Sequence, residues 1–264
     1  MRHEVGDRHP RRSSLSRRYL LEAAADQGLL AGTAMIAHGR GEAFDYLLGE
    51  RTSEAARRAT GQAAALLAAA TSPIISVNGN TAVLAGRELL ECAALLSCSL
   101  ELSIFYRTPE RMTGLLALLA GQRDESAGVP PTGWTGGDGS WAEAVTAVPI
   151  LGANDDGRIP CLDGPRARCE TAGILSADAV LVPLEDGDRC EALVGMGLPV
   201  VVIDLNPLSR SARMADVTVV DEVSRFASNL RDLLLQTPPD VDEDWDNDAC
   251  LQDSLRLIAN RFLG

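Results

Sequence analysis

The sequence predicts an α/β protein with a Rossmann-like parallel sheet flanked by helices, an N-terminal helical segment and a C-terminal helix. Continuous runs of Val, Ile and Leu occur at 73–77, 179–184 and 199–203, as in parallel strands buried on both faces. Segments long enough for helices separate such runs, and polar loops follow them. Ligands of open α/β sheets bind at these loops, which lie at the carboxyl ends of the strands.

The elements follow from periodicity and capping signals. An N-terminal helical layer, residues 1–70, contains predicted helices over 14–28, 42–48 and 53–70. Predicted strands are 73–77, 100–106, 147–151, 179–184, 199–203 and 216–220. A long Ala- and Leu-rich helix is predicted before residue 97 and another helix over 221–236. Thr108 and Pro109 indicate an N-cap and a first helical residue.

Three stretches are predicted to lie outside the regular elements. Residues 122–140 are rich in Gly, Pro, Ser and Thr and predict a surface insertion or a lid-like loop. Residues 152–170 predict a long loop, and 237–248 predict an acidic linker to a terminal helix over 249–263. We expect one α/β domain over 1–264, with its core at 71–236.

The charge composition restricts both partners and chemistry. The net charge of -13 disfavours binding to nucleic acid or to anionic membranes. All 24 basic residues are arginine. A salt-rich cytoplasm or a GC-rich genome would each explain the lack of lysine. Schiff-base, lysyl-adenylate and P-loop chemistry all need lysine, so any phosphate clamp here consists of arginine.

The cysteines and the N-terminus predict a reduced cytoplasmic protein. The six cysteines form no CxxC pair, which favours small buried thiols over a zinc site. Arg11-Arg12 and Arg17-Arg18 precede an apolar stretch, but Glu22 and Asp26 interrupt it. We therefore expect neither an export signal nor a membrane span.

Two segments suggest ligand-binding loops. Asn78-Gly79-Asn80-Thr81 lies between a strand and a helix, where backbone N–H groups bind anions, although an ordinary tight turn also explains it. In the segment 38–46, glycines flank His38 and Arg40, and the Arg40 guanidinium suits a phosphate. The alternatives are a structural histidine and an ion pair from Arg40 to Glu42 or Asp45.

The strand ends carry acidic side chains. Glu185, Asp186 and Asp188 follow one buried strand, and their mutual repulsion favours a Mg-nucleotide there, although acidic residues are also common at helix starts. Asp204 follows the next strand and could bind ribose hydroxyls.

Five blocks together resemble the archaeal phosphopantothenate synthetase family, the 4-phosphopantoate–β-alanine ligases. They cover 36–47, 77–80, 105–108, 182–189 and 203–210, and the resemblance extends from about residue 14 to 264. Members join 4-phosphopantoate to β-alanine with ATP and yield 4′-phosphopantothenate, AMP and diphosphate on the route to coenzyme A. The resemblance implies a homodimer with ATP at the strand carboxyl ends, and 122–140 and 237–248 depart from the family pattern.

The resemblance also implies candidate site residues. Arg18 and Arg40 match nucleotide-binding arginines of the family. The expected nucleotide-binding residues are Arg18, Arg40, Glu185, Asp186, Gly187, Asp188, Arg189, Asp204, Leu205, Asn206, Ser209 and Arg210. The expected catalytic residues are His38, Arg40, Asn78, Asn80, Arg107 and Arg158.

The implied chemistry needs no enzyme nucleophile. The pantoate carboxylate attacks the α-phosphate to give an acyl adenylate, and the neutral amine of β-alanine then displaces AMP. Mg²⁺ and arginines offset the charge of the phosphates. A dehydrogenase is disfavoured because no G-x-G-x-x-G follows a predicted strand. A nonenzymatic nucleotide sensor or scaffold remains an alternative.

Overall fold

A computed structural model describes residues 5–261. Its helices are α1 (Arg12–Asp26), α2 (Gly32–Leu48), α3 (Glu54–Ala69), α4 (Gly79–Leu95), α5 (Pro109–Ala127), α6 (Asp138–Thr146), α7 (Gly187–Gly195), α8 (Arg210–Met214), α9 (Val223–Leu234) and α10 (Asn247–Asn260). Its strands are β1 (Pro73–Val77), β2 (Ser99–Leu102), β3 (Ile150–Leu151), β4 (Gly157–Arg158), β5 (Arg168–Cys169), β6 (Ala179–Pro183), β7 (Val200–Ile203) and β8 (Val217–Val219).

Six strands form a parallel sheet in the order β3-β2-β1-β6-β7-β8. Strands β4 and β5 form a separate antiparallel pair in the segment between β3 and β6. Counting only the strands of the large sheet, the order is that of doubly wound dinucleotide-binding folds, 3-2-1-4-5-6. The order reverses between β1 and β6, and such a reversal opens a crevice at the carboxyl ends of the two strands. The predicted Rossmann-like fold is confirmed.

Both faces of the sheet are buried, as the apolar strands predict. Val180 and Val182 of β6 pack in the cluster that contains Leu193 of α7, whereas Leu181 joins the larger cluster of α3, α4 and α9 on the opposite face. Neighbouring residues of a strand point to opposite faces, so a strand without polar alternation must be covered on both sides. Alanines line the inner face of α3, including Ala59, and permit close packing there.

Helix α2 corrects the predicted structure of residues 32–48. The sequence predicted a glycine-flanked loop around His38 and Arg40 and a helix only from residue 42. Instead α2 runs from Gly32 to Leu48, and both side chains project from its interior turns. Glycine weakens a helix but does not break it, and tertiary contacts supply the stability here: Leu48 is buried against α10, and Asp45 is buried in an ion-pair network.

Residues 122–140 are more ordered than predicted. Helix α5 continues to Ala127 and α6 begins at Asp138, so the irregular connection spans only 128–137. Trp141 anchors α6: its ring is fully buried and its indole N–H donates to the Ser126 carbonyl at 2.8 Å. The segment predicted as a surface insertion or lid-like loop therefore contains a shorter irregular connection between two packed helices.

The remaining differences concern boundaries. The strand predicted over 100–106 ends at Leu102, and the strand predicted over 147–151 contains only Ile150 and Leu151. The predicted loop over 152–170 contains β4, β5 and a short 3-10 helix. Within the described range, 5–261, no helix is long and apolar enough to cross a membrane.

Candidate active site

A cavity of about 440 Å³ lies at the carboxyl edge of the sheet, beneath α1 and α2. Its floor includes residues that follow β1, β2, β6, β7 and β8, namely Asn78, Ile104, Leu184, Leu205 and Glu222. The cavity therefore includes the crevice where the strand order reverses. The predicted position of the site, at the strand carboxyl ends, agrees with this geometry.

Asn78 ties the two halves of the crevice together. Its Oδ1 accepts a hydrogen bond from the Thr81 backbone N–H at 3.0 Å and caps α4, and its Nδ2 donates to the Leu184 carbonyl at 3.0 Å. Leu184 has a φ of 54°, a conformation that costs a non-glycine residue of order 1–3 kcal/mol and is typical of constrained sites. Asn78 thus shapes the site through the backbone.

Arg40 is the exposed cation of the cavity wall. Its side chain lines the cavity, and among residues 5–261 no ion pair or hydrogen bond occupies its guanidinium. The predicted alternative, an ion pair to Glu42 or Asp45, does not form, because Glu42 is paired with Arg11 and Arg18 and Asp45 with Arg17 and Arg225. An unpaired guanidinium at a cavity is free to bind an anion.

Three further arginines line the cavity. Arg17 of α1 is buried and contacts Asp45 and Glu222. Arg111 of α5 donates to the Tyr106 carbonyl at 3.1 Å. Arg166, from the segment before β5, contacts Glu185 at 2.5 Å and Asp186 at 2.7 Å. With Arg40, the cavity draws arginines from four separate segments of the chain.

His38 and Glu42 lie one turn apart on α2 and both line the cavity. Burial lowers the pKa of His38, the Glu42 and Glu222 carboxylates oppose that shift, and Arg17 and Arg18 reinforce it. Burial alone would raise the pKa of Glu42, but hydrogen bonds and charge from Arg18 lower it below its usual value. The site therefore holds a neutral imidazole beside an ionised carboxylate at neutral pH.

Five buried polar atoms of the cavity lining lack a hydrogen-bond partner within the described residues: the acceptors His38 Nε2, Asn80 Oδ1 and Glu222 Oε1, and the donors Nε and Nη2 of Arg166, although Nη2 lies in an ion pair with Glu185. Asn80 is 8% exposed and donates through Nδ2 to the Ala34 carbonyl at 3.0 Å. Glu222 is 5% exposed and uses Oε2 to cap α9. Unpartnered buried polar atoms are costly, and their concentration in one cavity points to a polar ligand.

The segment from Glu185 to Arg189 forms its own ion pairs. Glu185 bonds the buried Arg189, which also donates to Ser76 at 3.1 Å, and Asp186 caps α7. Arg210 pairs with the exposed Asp188 at 2.6 Å. Arginines thus supply the counter-charge that the sequence argument assigned to a metal. No group of three or more His, Cys, Asp or Glu suited to a metal occurs in residues 5–261.

Gly187 and the segment after β7 also serve local structure. A side chain at Gly187 would clash with Arg210, so the glycine permits close approach of α7 and α8. Asp204 accepts hydrogen bonds from the Asn206 backbone N–H at 2.9 Å and from the Ser209 hydroxyl, and Ser209 in turn caps α8. In this segment Leu205 alone reaches the cavity.

Besides Arg189 and Arg210, three predicted arginines lie outside the cavity lining. Arg18 is bound to Glu42 at 2.8 Å, so it contacts the site through that carboxylate. Arg107 donates to the backbone carbonyls of Gly152 and Asn154. Arg158 of β4 is exposed. The structure therefore brings His38, Arg40, Asn78, Asn80 and Leu205 together and leaves the other predicted side chains at its margin or beyond it.

Sequence reasoning missed Arg17, Arg111, Arg166 and Glu222. Arg111 and Glu222 are each close to the start of a helix that follows a strand, a signal that was available in principle. No local pattern marks Arg166, because its position depends on a long-range anchor. Glu101 of β2 accepts the backbone N–H groups of Glu170 and Ile174 at 2.9 Å and so fixes the segment that carries Arg166.

The fold and the site define a Rossmann-like α/β protein with an arginine-lined cavity at the strand-order reversal. The family model for phosphopantothenate/pantothenate synthetase matches residues 55–131 and 140–261. The chain belongs to this family, which confirms the resemblance found in the sequence.

Similar proteins with curated names come from several archaea. A "4-phosphopantoate--beta-alanine ligase" of Thermococcus kodakarensis is 43% identical over 261 residues, covering 96% of this chain and 92% of that protein. Proteins of the same name from Thermococcus onnurineus and Methanospirillum hungatei are 42% and 38% identical, covering 96% and 98% of this chain and 92% and 98% of their own lengths.

Proposed function

We propose that this chain is an ATP-dependent ligase of coenzyme A biosynthesis. It joins (R)-4-phosphopantoate to β-alanine and releases 4′-phosphopantothenate, AMP and diphosphate. The names of relatives that cover nearly the whole chain support the reaction. The observation in the molecule that carries the proposal is Arg40, a guanidinium without a partner in the described chain, on the wall of the crevice where α/β folds bind ligands.

The cavity arginines suit two phosphorylated substrates. Arg40 and Arg111 are the proposed phosphate ligands, since a guanidinium binds phosphate through paired N–H groups. Arg166 is already held by Glu185 and Asp186, so those carboxylates orient it toward the cavity. Fixed cations that meet the charge developing at the α-phosphate lower the barrier without reorganisation.

We propose that ATP activates the pantoate carboxylate as an acyl adenylate, with the nucleotide near Arg18, Arg40 and the connections that follow β6 and β7. His38, Asn78 and Asn80 belong to the substrate side of the site. The unpartnered polar atoms of His38 and Asn80 support their role. Asn78 acts by fixing the crevice, and Arg107 and Arg158 act from outside the cavity lining.

Mg²⁺ is proposed to enter with the nucleotide. The described residues contain no ready cluster of metal-binding side chains, and Mg²⁺ is commonly held by substrate phosphates with few protein ligands. When bound, the ion would neutralise phosphate charge in the α-phosphate displacement. We assign no side chain to it.

A homodimer is proposed because large apolar side chains of α1 and α2, two helices that contribute to the cavity lining, are exposed. Leu20 of α1 and Ile36, Tyr46 and Leu47 of α2 are 39–64% exposed. Large exposed apolar side chains that share a surface mark association sites. Because α2 also carries Arg40, a partner seated here would border the active site. We further propose one α/β domain over 1–264 and a cytoplasmic, salt-rich setting.

The proposed function is tested by the dependence of AMP release on each substrate. Purified protein with Mg-ATP is expected to release AMP only when phosphopantoate and β-alanine are both present, with equal amounts of AMP and 4′-phosphopantothenate. Nucleotide binding without turnover would instead support the sensor or scaffold alternative. Binding of NAD would support a dehydrogenase.

A further inference from the structure

Three of the unpartnered polar atoms of the cavity are hydrogen-bond acceptors, whereas the unpartnered N–H groups of Arg166 are donors held beside Glu185. Glu222 Oε1 is a carboxylate oxygen, Asn80 Oδ1 is an amide oxygen, and His38 Nε2 accepts in the neutral imidazole tautomer that carries its proton on Nδ1. They belong to α2, α4 and the connection from β8 to α9. A primary ammonium has three N–H donors and no acceptor, so this donor set matches the acceptors.

Contacts connect the three residues within the cavity lining. The Asn80 side chain is fixed by a hydrogen bond to the carbonyl of Ala34, one helical turn before His38. The Glu222 carboxylate acts electrostatically on the His38 imidazole. Arg17 lies 3.3 Å from Glu222 and lines the same part of the cavity.

The ion-pair network behind the acceptors carries an excess of negative charge. Asp45, Asp221 and Glu222 contribute three carboxylates, and Arg17 and Arg225 contribute two guanidinium groups. One negative charge therefore remains without a cationic partner in this network. In a buried site a cationic ligand would compensate it.

We propose that Glu222 Oε1, Asn80 Oδ1 and His38 Nε2 form the subsite for the primary ammonium group of the amino-acid substrate. This inference rests on the proposed function and extends it to a substrate subsite that includes Glu222. Glu222 and Asn80 hold the ammonium, and His38 receives one of its protons.

Amide formation then takes two proton transfers and one substitution at the acyl carbon. The ammonium loses one proton to His38 Nε2, and the nitrogen lone pair then attacks the acyl carbon of the adenylate. A C–N bond forms and the C–O bond to the phosphate breaks, with the bonding pair leaving on the AMP oxygen. The amide nitrogen releases its second proton to solvent. Only the first proton transfer requires the enzyme.

The pKa of His38 favours this role. Burial lowers it, so the imidazole is neutral and able to accept a proton near neutral pH. The charged groups that act on it from the surrounding elements are Arg17 and Arg18 of α1, Glu42 of α2 and Glu222 before α9. Amide formation is therefore expected to fall as pH drops through the lowered pKa, whereas adenylate formation does not use this proton acceptor.

Glu222→Gln tests the subsite because it changes an acceptor into a donor with little change in shape. Its remaining oxygen can still cap α9. We expect the KM for β-alanine to rise about 10- to 100-fold, as for loss of a charge-assisted hydrogen bond. Phosphopantoate-dependent exchange of labelled diphosphate into ATP, measured without β-alanine, should stay within about threefold of wild type.

Asp246→Asn is the matched control, since it makes the same chemical change at the N-cap of α10, outside the cavity. Its KM for β-alanine should equal that of the wild type. If Glu222→Gln does not fold, the KM for β-alanine is measured in Asn80→Ser instead. His38→Gln should slow amide formation from the preformed adenylate. It should also abolish the fall in the rate of that step at low pH.

The outcomes separate the two proposals. A wild-type protein with neither exchange nor ligation would refute the proposed function. An active wild type whose folded Glu222→Gln variant keeps its KM for β-alanine would overturn the ammonium subsite and leave the ligase proposal intact. Equal loss of exchange and ligation in that variant would also overturn it, because Glu222 would then act before the amine enters.

Discussion

Arg40 is the residue whose chemistry the structure defines most sharply. The sequence predicted it as a phosphate ligand in a loop, whereas it projects from α2 and lines the cavity. The rigidity of a helix presents a guanidinium in a fixed direction, which suits paired hydrogen bonds to a phosphate. The helix thus strengthens the assignment that the predicted loop first suggested.

Replacing Arg40 tests this geometry. Arg40→Lys keeps the charge but loses the planar guanidinium and its paired N–H donors, so kcat/KM for ATP or phosphopantoate should fall about 10- to 100-fold. The kcat/KM of Arg40→Ala should fall at least as far. Arg57→Ala is the control, because Arg57 is an exposed arginine paired with Glu54 outside the cavity. Near wild-type kinetics in both Arg40 variants, with unchanged thermal unfolding, would remove Arg40 from the site.

Other residues show where sequence reasoning stops. Glu185, Asp186 and Asp204 were predicted as ligands because they follow strands, and their position is correct. Their side chains nevertheless cap helices and bind arginines or hydroxyls of the same chain. Partners such as Arg166 lie about 20 residues away along an irregular segment. Spacing alone cannot show which long-range partner a carboxylate selects.

Among the elements, the buried central strands were predicted closely. Buried parallel strands carry a strong signal, and 73–77, 179–183 and 200–203 match it closely. The edge strand β3 has two residues and little signal of its own. Helix α2 was missed over half its length because its glycines favour a loop, and contacts distant in sequence override that preference.

Helix α6 offers a test at this scale, since its fold depends on Trp141. Trp141→Ala is expected to lower the free energy of unfolding by about 3–5 kcal/mol, because it removes a fully buried ring and the indole hydrogen bond to the Ser126 carbonyl. Val129→Ala, in the exposed connection before α6, should change it by less than about 0.5 kcal/mol. Denaturant titration measures both.

A mobile lid over 122–140 predicts a different result. In that case Trp141→Ala would unfold at the same denaturant concentration as the wild type. The free energy of unfolding would also depend on denaturant concentration with the same slope. Such a result would restore the sequence interpretation of this segment as a loop without a packing role.

At the scale of the whole molecule, charge dominates. The net charge of -13 makes the folded chain repel itself, and salt screens that repulsion. Salt also weakens exposed ion pairs such as Arg58–Asp253, but each contributes only about 0–1 kcal/mol. The buried pairs around Asp45 and Glu185 are screened much less. The net effect of salt should therefore be stabilising.

Thermal unfolding in KCl tests this balance. We expect the Tm to rise as KCl increases from about 0.1 M to about 2 M, with most of the rise at the lower concentrations, where the Debye length changes most. Sucrose serves as a nonionic control for solute exclusion. A Tm that stays constant or falls in KCl would contradict both the charge argument and the proposed salt-rich setting.

In the proposed reaction, this cavity couples ATP cleavage to activation of a phosphopantoate carboxylate. The most direct measurement uses phosphopantoate labelled with ¹⁸O in its carboxylate, together with unlabelled ATP and β-alanine, and determines the mass of the released nucleotide. Activation as an acyl adenylate predicts AMP that carries the heavy oxygen. Unlabelled AMP, or ADP with labelled phosphate, would contradict it.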